Sequence, residues 1–212
     1  MNETIDVPVK MDIADKDLLA RMVLPHHIVS RSVQQDPEDI DRVVKDAVDL
    51  YRLCFNPTGL YNSAFAMAHP QIDDKDPLRF FVTAEKKIII NPTIIKHSGY
   101  TVESREGCMS MPELKMIMVP RWHKCEVEYK TIMTDPTDDK KFVLSGWLED
   151  SLSGQTSFIW QHEIDHLNGR YIYDSLLEKL NGGKQNDNTN SKEQVLGPNG
   201  GDSGQVLSEG KV

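Results

Sequence analysis

The sequence contains little of what secretion, membrane insertion or disulfide cross-linking requires. Three cysteines among 212 residues are too few for a disulfide framework and are typical of a reducing compartment. No apolar run approaches the roughly 18 residues of a membrane-spanning helix. The first residues lack both the basic start and the apolar centre of a signal peptide. We therefore expect a cytoplasmic protein that has no membrane partner.

Positive charge is also scarce. The chain has 24 Lys and Arg against 33 Asp and Glu, which gives a net charge of -9. An acidic chain has no electrostatic attraction for the phosphates of DNA, so we expect no DNA partner. Hydrophobic residues make up 39% of the chain, a little less than in a compact globular protein, so we expect part of it not to pack.

The length suits one domain flanked by two looser segments. Residues 181–212 hold 7 of the 13 glycines and almost no large apolar side chains. Such a segment cannot bury enough surface to offset its ordering entropy, and it predicts a disordered tail. The alternative is that residues 194–196 and 205–207 form short strands. Residues 1–36 form an N-terminal extension without a periodic pattern, and we expect the folded domain to span residues 37–180.

Two stretches predict helices. Residues 37–55 place apolar side chains at spacings of three and four, which predicts one buried stripe: Ile40, Val43, Val44, Ala47, Val48, Tyr51 and Leu53. Asp36 and Pro37 are typical of an N-cap and a first helical position. A second helix is predicted over residues 151–167 and would end at Asn168-Gly169.

The region between the helices predicts strands. Apolar and polar residues alternate there between Asn-Pro, Pro and Asp-rich boundaries. The predicted strands cover residues 80–84, 87–90, 115–119, 124–130 and 141–147, with a hairpin turn at residues 134–139. Strands grouped between two helices indicate an α+β fold with antiparallel sheets rather than alternating βαβ units.

The sequence HEIDH at residues 162–166 is the strongest chemical signal. Two histidines four residues apart on a helix lie one turn from each other and can bind one metal ion. Glu163 lies beside such an ion without ligating it and can act as a general base. The alternative is a helix with two hydrogen-bonded histidines that bind no metal.

A catalytic site of this kind needs a third ligand. The zinc protease pattern HExxHxxGxxH has Gly169 here but Ile172 at the histidine position, and Glu193, the candidate for a later glutamate, lies in the predicted tail. The remaining candidate is Cys108, whose thiolate would complete a Cys/His/His set with one open position. Cys54 and Cys125 lie in no comparable pattern and are interpreted as core residues.

Two motifs together resemble the peptide deformylase family. EGCMS at residues 106–110 and QHEIDHLNG at residues 161–169 are similar to the family's second and third motifs. The segments INPTIIKHSG at 90–99 and SMPELKMIMVPR at 110–121 also fit. The resemblance covers residues 80–174 well. It implies an α+β fold in which antiparallel sheets pack around a C-terminal metal-binding helix.

The resemblance implies a metal-dependent hydrolase that removes the formyl group from the N-terminal formyl-methionine of nascent chains and releases formate. Cys108, His162 and His166 would hold one divalent metal. This metal is usually Fe²⁺ in the family, with Zn²⁺, Ni²⁺ or Co²⁺ as substitutes. Glu163 would serve as general base and then as acid. Residues 37–180 would then be the catalytic domain.

Substrate contacts follow from the same resemblance. Gln71 and the backbone N–H of Met109 would stabilise the oxyanion. Ala66, Phe158 and Ile159, with His162, match positions that line the methionine pocket in the family. The two helix residues have an alternative role as ordinary core side chains, because positions beside a metal ligand often pack inward.

The first motif departs from the family's pattern. The family has Gly-x-Gly-x-Ala-Ala-x-Gln, whereas residues 64–71 here read AFAMAHPQ. Alanines replace both glycines and His69 replaces the second alanine, while Gln71 remains. Alanine is disfavoured where φ is positive, so we expect this loop to differ in shape.

The implied partners are N-formyl-methionyl nascent peptides at the ribosome, acted on by a monomer in the cytoplasm of a bacterium or a phage-infected cell. Two other hypotheses stay open. One is a zinc protease with an unrecognised third ligand. The other is a non-catalytic relative whose altered loop at residues 64–71 blocks the groove.

Overall fold

The structure, a computed structural model, describes residues 27–54, 64–111 and 115–174. The predicted tail and residues 1–26 of the predicted extension lie outside the described residues, so the division into three segments remains a prediction. The described helices are α1 (Pro37–Cys54) and α2 (Gly154–Leu167), and neither is long and apolar enough to cross a membrane. The strands are β1 (Ala66–Ala68), β2 (Phe80–Thr83), β3 (Ile88–His97), β4 (Thr101–Glu106), β5 (Ile117–Trp122), β6 (Lys124–Lys130), β7 (Ile132–Asp135), β8 (Asp138–Leu144) and β9 (Leu148–Ser153).

The strands form three antiparallel sheets in the described part of the chain. A five-stranded sheet has the order β1-β2-β3-β6-β9, and the pairs β4-β5 and β7-β8 form two smaller sheets. This confirms the predicted α+β class. A hairpin turn lies within the predicted residues 134–139 but is shorter than predicted, because residues 134–135 belong to β7 and residues 138–139 to β8.

The larger sheet lies between the two helices. Side chains of a strand alternate between its faces, so Phe80 and Val82 of β2 pack in the cluster that contains α1. Phe81, between them, packs in the cluster that contains Trp160 and Ile164 of α2. Burial on both faces explains the continuous apolar runs in β2 and at the start of β3, where the burial is complete.

Helix α1 begins where its capping residues predict. The backbone N–H of Asp39 donates to the Oδ1 atom of Asp36 at 2.9 Å, and Pro37 is the first helical residue. Most of the predicted apolar stripe is buried, although Val44 and Val48 are only half-buried. Leu50, which the prediction left out, is fully buried.

Several predicted boundaries are wrong: β5 and β8 are displaced by two to three residues from the predicted strands 115–119 and 141–147, and the start of α2 and the end of β3 also differ. Residues 151–153 belong to β9, where they pair with β6, and α2 starts only at Gly154, whose φ of 57° permits the turn from strand to helix. Strand β3 does not end at Asn91-Pro92 but continues to His97 after a register shift. Asn91 adopts a φ of 52° there, and its side chain bonds the backbone N–H and carbonyl of Val33.

Four of the described strands were not predicted: β1, β4, β7 and β9. Strand β1 has three residues, and β4 and β9 are largely polar and exposed. Pairing with neighbours stabilises such strands, and a single strand's own sequence does not reveal its partner.

The C-terminal end of α2 is held by the segment that precedes α1. Gly169 has a φ of 69°, and a Cβ atom there would lie 2.8 Å from the backbone of His27. The N–H of Ser30 donates to the carbonyl of Leu167 at 2.9 Å. Asn168-Gly169 therefore ends the helix as predicted, and residues 27–31 pack against that end.

Arg31 and Asp39 form an ion pair that fixes this segment to α1. The guanidinium donates to both carboxylate oxygens, at 2.7 and 2.9 Å, and the N–H of Gln34 donates to the same carboxylate. The hydrogen bond from Arg31 lowers the pKa of Asp39 below its ordinary value. The folded state therefore favours the ionised form of the Asp39 carboxyl group.

We predict that Asp39→Ala lowers the free energy of unfolding by about 1.5–3 kcal/mol at pH 7, since hydrogen bonds to a charged group are lost. Because the pKa of Asp39 is lower in the folded state than in the unfolded state, ionised Asp39 stabilises the fold at pH values above its unfolded-state pKa. This stabilisation is lost as the pH falls through the folded-state pKa. The difference between variant and wild type should therefore shrink below pH 4. Urea unfolding at pH 7 and pH 3 measures it. Asp41→Ala, an exposed carboxylate on the same helix, is the control, and an Asp39→Ala deficit independent of pH would contradict the prediction.

Candidate metal centre

Helix α2 presents His162 and His166 on one side because its other side is anchored to the sheet. Trp160, Ile164 and Leu167 are buried in the apolar cluster beneath it. The two imidazole rings lie one turn apart, with centroids 4.8 Å from each other and planes at 78°. The HEIDH segment is therefore helical, as its spacing predicts.

Cys108 meets the two histidines from the loop that follows β4. Its Sγ atom lies 3.3 Å from Nε2 of His166, and one ligand atom from each of the three residues falls within 4.8 Å of the others. Ligands at 2.0–2.3 Å from one tetrahedral ion stand about 3.5 Å apart. The three residues are thus spaced to hold one metal ion, and no other such group occurs in the described ranges.

Glu106 orients the imidazole of His162 toward the other two candidate ligands. Its carboxylate accepts a hydrogen bond from Nδ1 of His162 at 3.0 Å, so the imidazole turns Nε2 toward the cluster. Burial raises the pKa of Glu106, but hydrogen bonds from Arg121 and His162 outweigh this and lower it to about 2. Glu106 therefore stays ionised.

Arg121 holds that carboxylate from the other side. Its Nε and terminal nitrogen donate to the two oxygens of Glu106 at 2.9 and 2.8 Å, and it also bonds Asp165 on α2. Gln161 ties the same helix to β5 through both backbone groups of Trp122. Residues of β4, β5 and α2 thus support the two histidines as one unit.

The surroundings of His162 favour a positive charge. Burial lowers its pKa, but the hydrogen bonds to Cys108 and Glu106 outweigh burial and raise it to about 10. A thiolate with two imidazoles is a donor set for Fe²⁺, Zn²⁺, Ni²⁺ or Co²⁺, and the ligand atoms of the three residues lie within 4.8 Å of one another. The residues present therefore fit the expected group.

Glu163 is adjacent to His162, and one of its carboxylate oxygens makes no hydrogen bond to the described residues. Its side chain is 5% exposed, and Oε2 has no hydrogen-bond partner within the described residues. Burial raises its pKa to about 7, with a further increase from Glu106 and opposing effects from His162 and Arg121. A carboxyl group with this pKa can both accept and release a proton near neutral pH.

Comparison with known proteins identifies the family of the chain. The family model described as polypeptide deformylase matches residues 26–181. The peptide deformylase of Desulfotalea psychrophila is 31% identical over 143 residues, which is 64% of this chain and 74% of that protein. The chain belongs to the polypeptide deformylase family.

Other members have similar sequences and structures. The peptide deformylase of Karelsulcia muelleri is 29% identical over 163 residues, 74% of this chain and 79% of that protein. The crystal structure of the enzyme from the Vibrio parahaemolyticus bacteriophage VP16T, in complex with actinonin, is 26% identical with a TM-score of 0.52 and covers 76% of this chain and 98% of its own. The Thermotoga maritima structure, 22% identical with a TM-score of 0.53 over 78% and 95% of the two chains, shows the same fold.

The first deformylase motif forms β1 and a 3-10 turn, His69–Gln71. Gln71 is buried. Its Oε1 accepts the N–H of Ala68 at 2.8 Å, and its Nε2 donates to Oγ of Ser110 at 3.1 Å. Ser110 follows Cys108 by two residues, so Gln71 is tied to the loop that carries the thiol.

The structure also describes Met109, Ala66, Phe158 and Ile159, for which the sequence predicts substrate contacts. Met109 occupies the turn closed by the hydrogen bond from the N–H of Met111 to the carbonyl of Cys108, and its side chain packs against the core. Ala66 and Ile159 pack in one apolar cluster. Phe158 is half-buried, with its ring 6.3 Å from that of His123. The roles predicted for these residues remain predictions.

Glu106 is the first residue of the motif EGCMS, but its role was not predicted from the sequence. A carboxylate two residues before a candidate thiolate ligand is the signal that was available. Its partner Arg121 lies 15 residues along the chain, and only strand pairing brings the two together. Cys54 and Cys125 are buried thiols, in line with their interpretation as core residues.

We predict that Glu106→Ala weakens Co²⁺ binding 10- to 100-fold, because His162 loses the acceptor that orients it. Cys108→Ala should weaken it further and abolish the thiolate-to-cobalt charge-transfer absorption. Calorimetric titration of the metal-free protein with Co²⁺ measures the affinities of all variants, and the absorption measures whether a thiolate is bound to the cobalt.

The matched control is Glu103→Ala, which removes an exposed carboxylate from the same strand. Its affinity for Co²⁺ should equal that of the wild type. Wild-type affinity in Glu106→Ala would show that His162 is oriented without Glu106.

Proposed function

We propose that the chain is a metal-dependent hydrolase that removes the N-formyl group from the N-terminal formyl-methionine of newly synthesised proteins and releases formate. The observation that carries the proposal is the convergence of Cys108, His162 and His166 beside Glu163, one of whose carboxylate oxygens has no hydrogen-bond partner among the described residues. Membership of the polypeptide deformylase family supports the same substrate class.

Cys108, His162 and His166 would hold one divalent cation, for which we propose Fe²⁺. A cation bound there would lower the pKa of water toward neutrality, so that a nucleophile could form without a strong base. The thiolate contributes negative charge, and Glu106 keeps His162 in the ligating tautomer.

Glu163 would transfer the proton. Its pKa of about 7 lets the carboxylate take a proton from the attacking water and return it to the departing amine. The amine leaves poorly unless it is protonated, so both transfers are needed. The buried position of Glu163 keeps competing water away from the carboxylate.

Gln71 and the backbone N–H of Met109 would stabilise the oxygen of the formyl group as it becomes negative. Preorganised donors of this kind each lower the activation free energy by about a few kcal/mol, because they need no reorientation during the reaction. The two hydrogen bonds of Gln71 hold its amide in place beforehand.

The methionine side chain would lie against Ala66, Phe158 and Ile159. Phe158 and Ile159 precede His162 on the same helix, and both are half-buried. Their positions on α2 support an apolar pocket next to the ligands. We further propose that the protein acts as a monomer on nascent chains at the ribosome, in the cytoplasm of a bacterium or of a phage-infected cell.

Formate release tests the activity. Anaerobically purified protein should release formate from formyl-Met-Ala-Ser and leave the unformylated peptide intact. Glu163→Gln should lower kcat by about 10²–10⁴ while metal content stays at the wild-type level, because a positioned base contributes that much. Normal turnover by this variant would exclude Glu163 as the base.

Cys108→Ala separates this proposal from a zinc protease. We predict that the variant loses most of its bound metal and its formate release together. If metal and peptide-bond cleavage both survived without the thiol, a protease with another third ligand would be the better explanation. Metal-loaded wild-type protein that releases no formate would instead indicate a non-catalytic relative.

A further inference from the structure

His69 is fully buried and bonded at both ring nitrogens. Its Nδ1 lies 2.9 Å from the backbone nitrogen of Leu78, which donates to it. Its Nε2 lies 3.1 Å from Oδ2 of Asp46 on α1. A nitrogen that accepts a backbone N–H carries no proton, so the proton is on Nε2 and is donated to Asp46. The bonds therefore fix one tautomer and one ring orientation.

The same residue organises the turn that carries Gln71. The carbonyl of His69 accepts the N–H groups of Ile72 and Asp73, at 3.0 and 3.2 Å. The ring packs against Phe80, with centroids 4.8 Å apart. Both the backbone and the side chain of His69 are thus held, and Gln71 follows it by two residues.

Asp46 brings α1 into this arrangement. Its side chain is 6% exposed, and Nε of Arg42 lies 3.8 Å from the oxygen that His69 contacts. An ionised carboxylate with a nearby guanidinium accepts a stronger hydrogen bond than a neutral group would. The pair therefore links helix α1 to the turn His69–Gln71. The family's first motif has alanine at the position of His69.

We propose that His69 and Asp46 are positioning residues that set the place of the Gln71 side chain beside the metal centre. They act through the turn His69–Gln71, whose Gln71 is bonded to Ala68 and to Ser110. The kinetic consequence rests on the proposed function, in which Gln71 stabilises the developing charge.

Two substitutions of His69 separate its two hydrogen bonds. The His69→Asn side chain can accept from Leu78 but does not reach Asp46, whereas that of His69→Gln can donate to Asp46. We expect His69→Asn and Asp46→Ala each to lower kcat about 10- to 100-fold with KM changed less than about threefold, since a displaced donor weakens transition-state stabilisation. The kcat of His69→Gln should lie much closer to the wild-type value than the kcat of His69→Asn does.

A matched control separates positioning from stability. Asp39→Ala also removes a buried carboxylate from α1 but lies outside the proposed link, so its kcat per bound metal should stay near the wild-type value. Equal losses in Asp39→Ala and Asp46→Ala would overturn the proposal, because both would then reflect general destabilisation.

Coupling to Gln71 is the decisive kinetic readout. If His69 acts through Gln71, adding His69→Asn to Gln71→Ala should lower kcat less than about threefold further, because the group it positions is already absent. Full additivity of the two losses would overturn the proposal.

Hydrogen exchange tests the positioning without any turnover. The N–H of Ala68 donates to Gln71 and also lies within hydrogen-bond reach of the Glu163 carboxylate. Because Glu163 is unchanged in the variants compared, a change in exchange at Ala68 reports the placement of the Gln71 side chain. In metal-loaded protein, we expect exchange at Ala68 to accelerate at least tenfold in His69→Asn and Asp46→Ala, with amides of α2 unchanged. An unchanged Ala68 amide would overturn the proposal. If the wild type released no formate while Ala68 responded as expected, the proposed function would fail and the positioning would stand.

Discussion

The carboxylate of Glu106 is the group on which the arrangement of the site depends. It receives Nδ1 of His162 on one side and Arg121 on the other, and Arg121 continues to Asp165. One buried anion thereby joins β4, β5 and α2. A lone buried carboxylate would be costly, and its two cationic or donating partners offset that cost. Because the same carboxylate also selects the tautomer of His162, the stability of this corner and the ligating ability of the histidine are coupled.

The rest of the fold holds this corner in place. The five-stranded sheet separates two apolar clusters, one with α1 and one with α2. Helix α2 is thus fixed by apolar packing beneath it and by the polar network beside it. Site residues on a packed helix are positioned more accurately than residues on a loop. Cys108, which does lie on a loop, is placed by the strand pair β4-β5 that flanks it.

Local sequence was sufficient where one short segment carried the whole signal. Asp36-Pro37 predicted the start of α1, Asn168-Gly169 predicted the end of α2, and the spacing in HEIDH predicted two imidazoles on one side of a helix. It was insufficient where the outcome depended on a distant partner. Residues 151–153 are a strand because β6 is available to pair with them, and β3 continues past Pro92 because residues 93–97 pair with β6 on its other side.

The sequence alone determined the chemical identity of the candidate site, because ligand and base types are properties of the side chains themselves: a thiol, two imidazoles and a carboxyl group. It also placed three of these four groups on one helix. Only the tertiary structure decided how they work together. The pKa of Glu163, the tautomer of His162 and the link from Asp46 through His69 to Gln71 depend on burial and on hydrogen bonds between separate elements. Such contacts join residues far apart in the chain, and no local pattern records them.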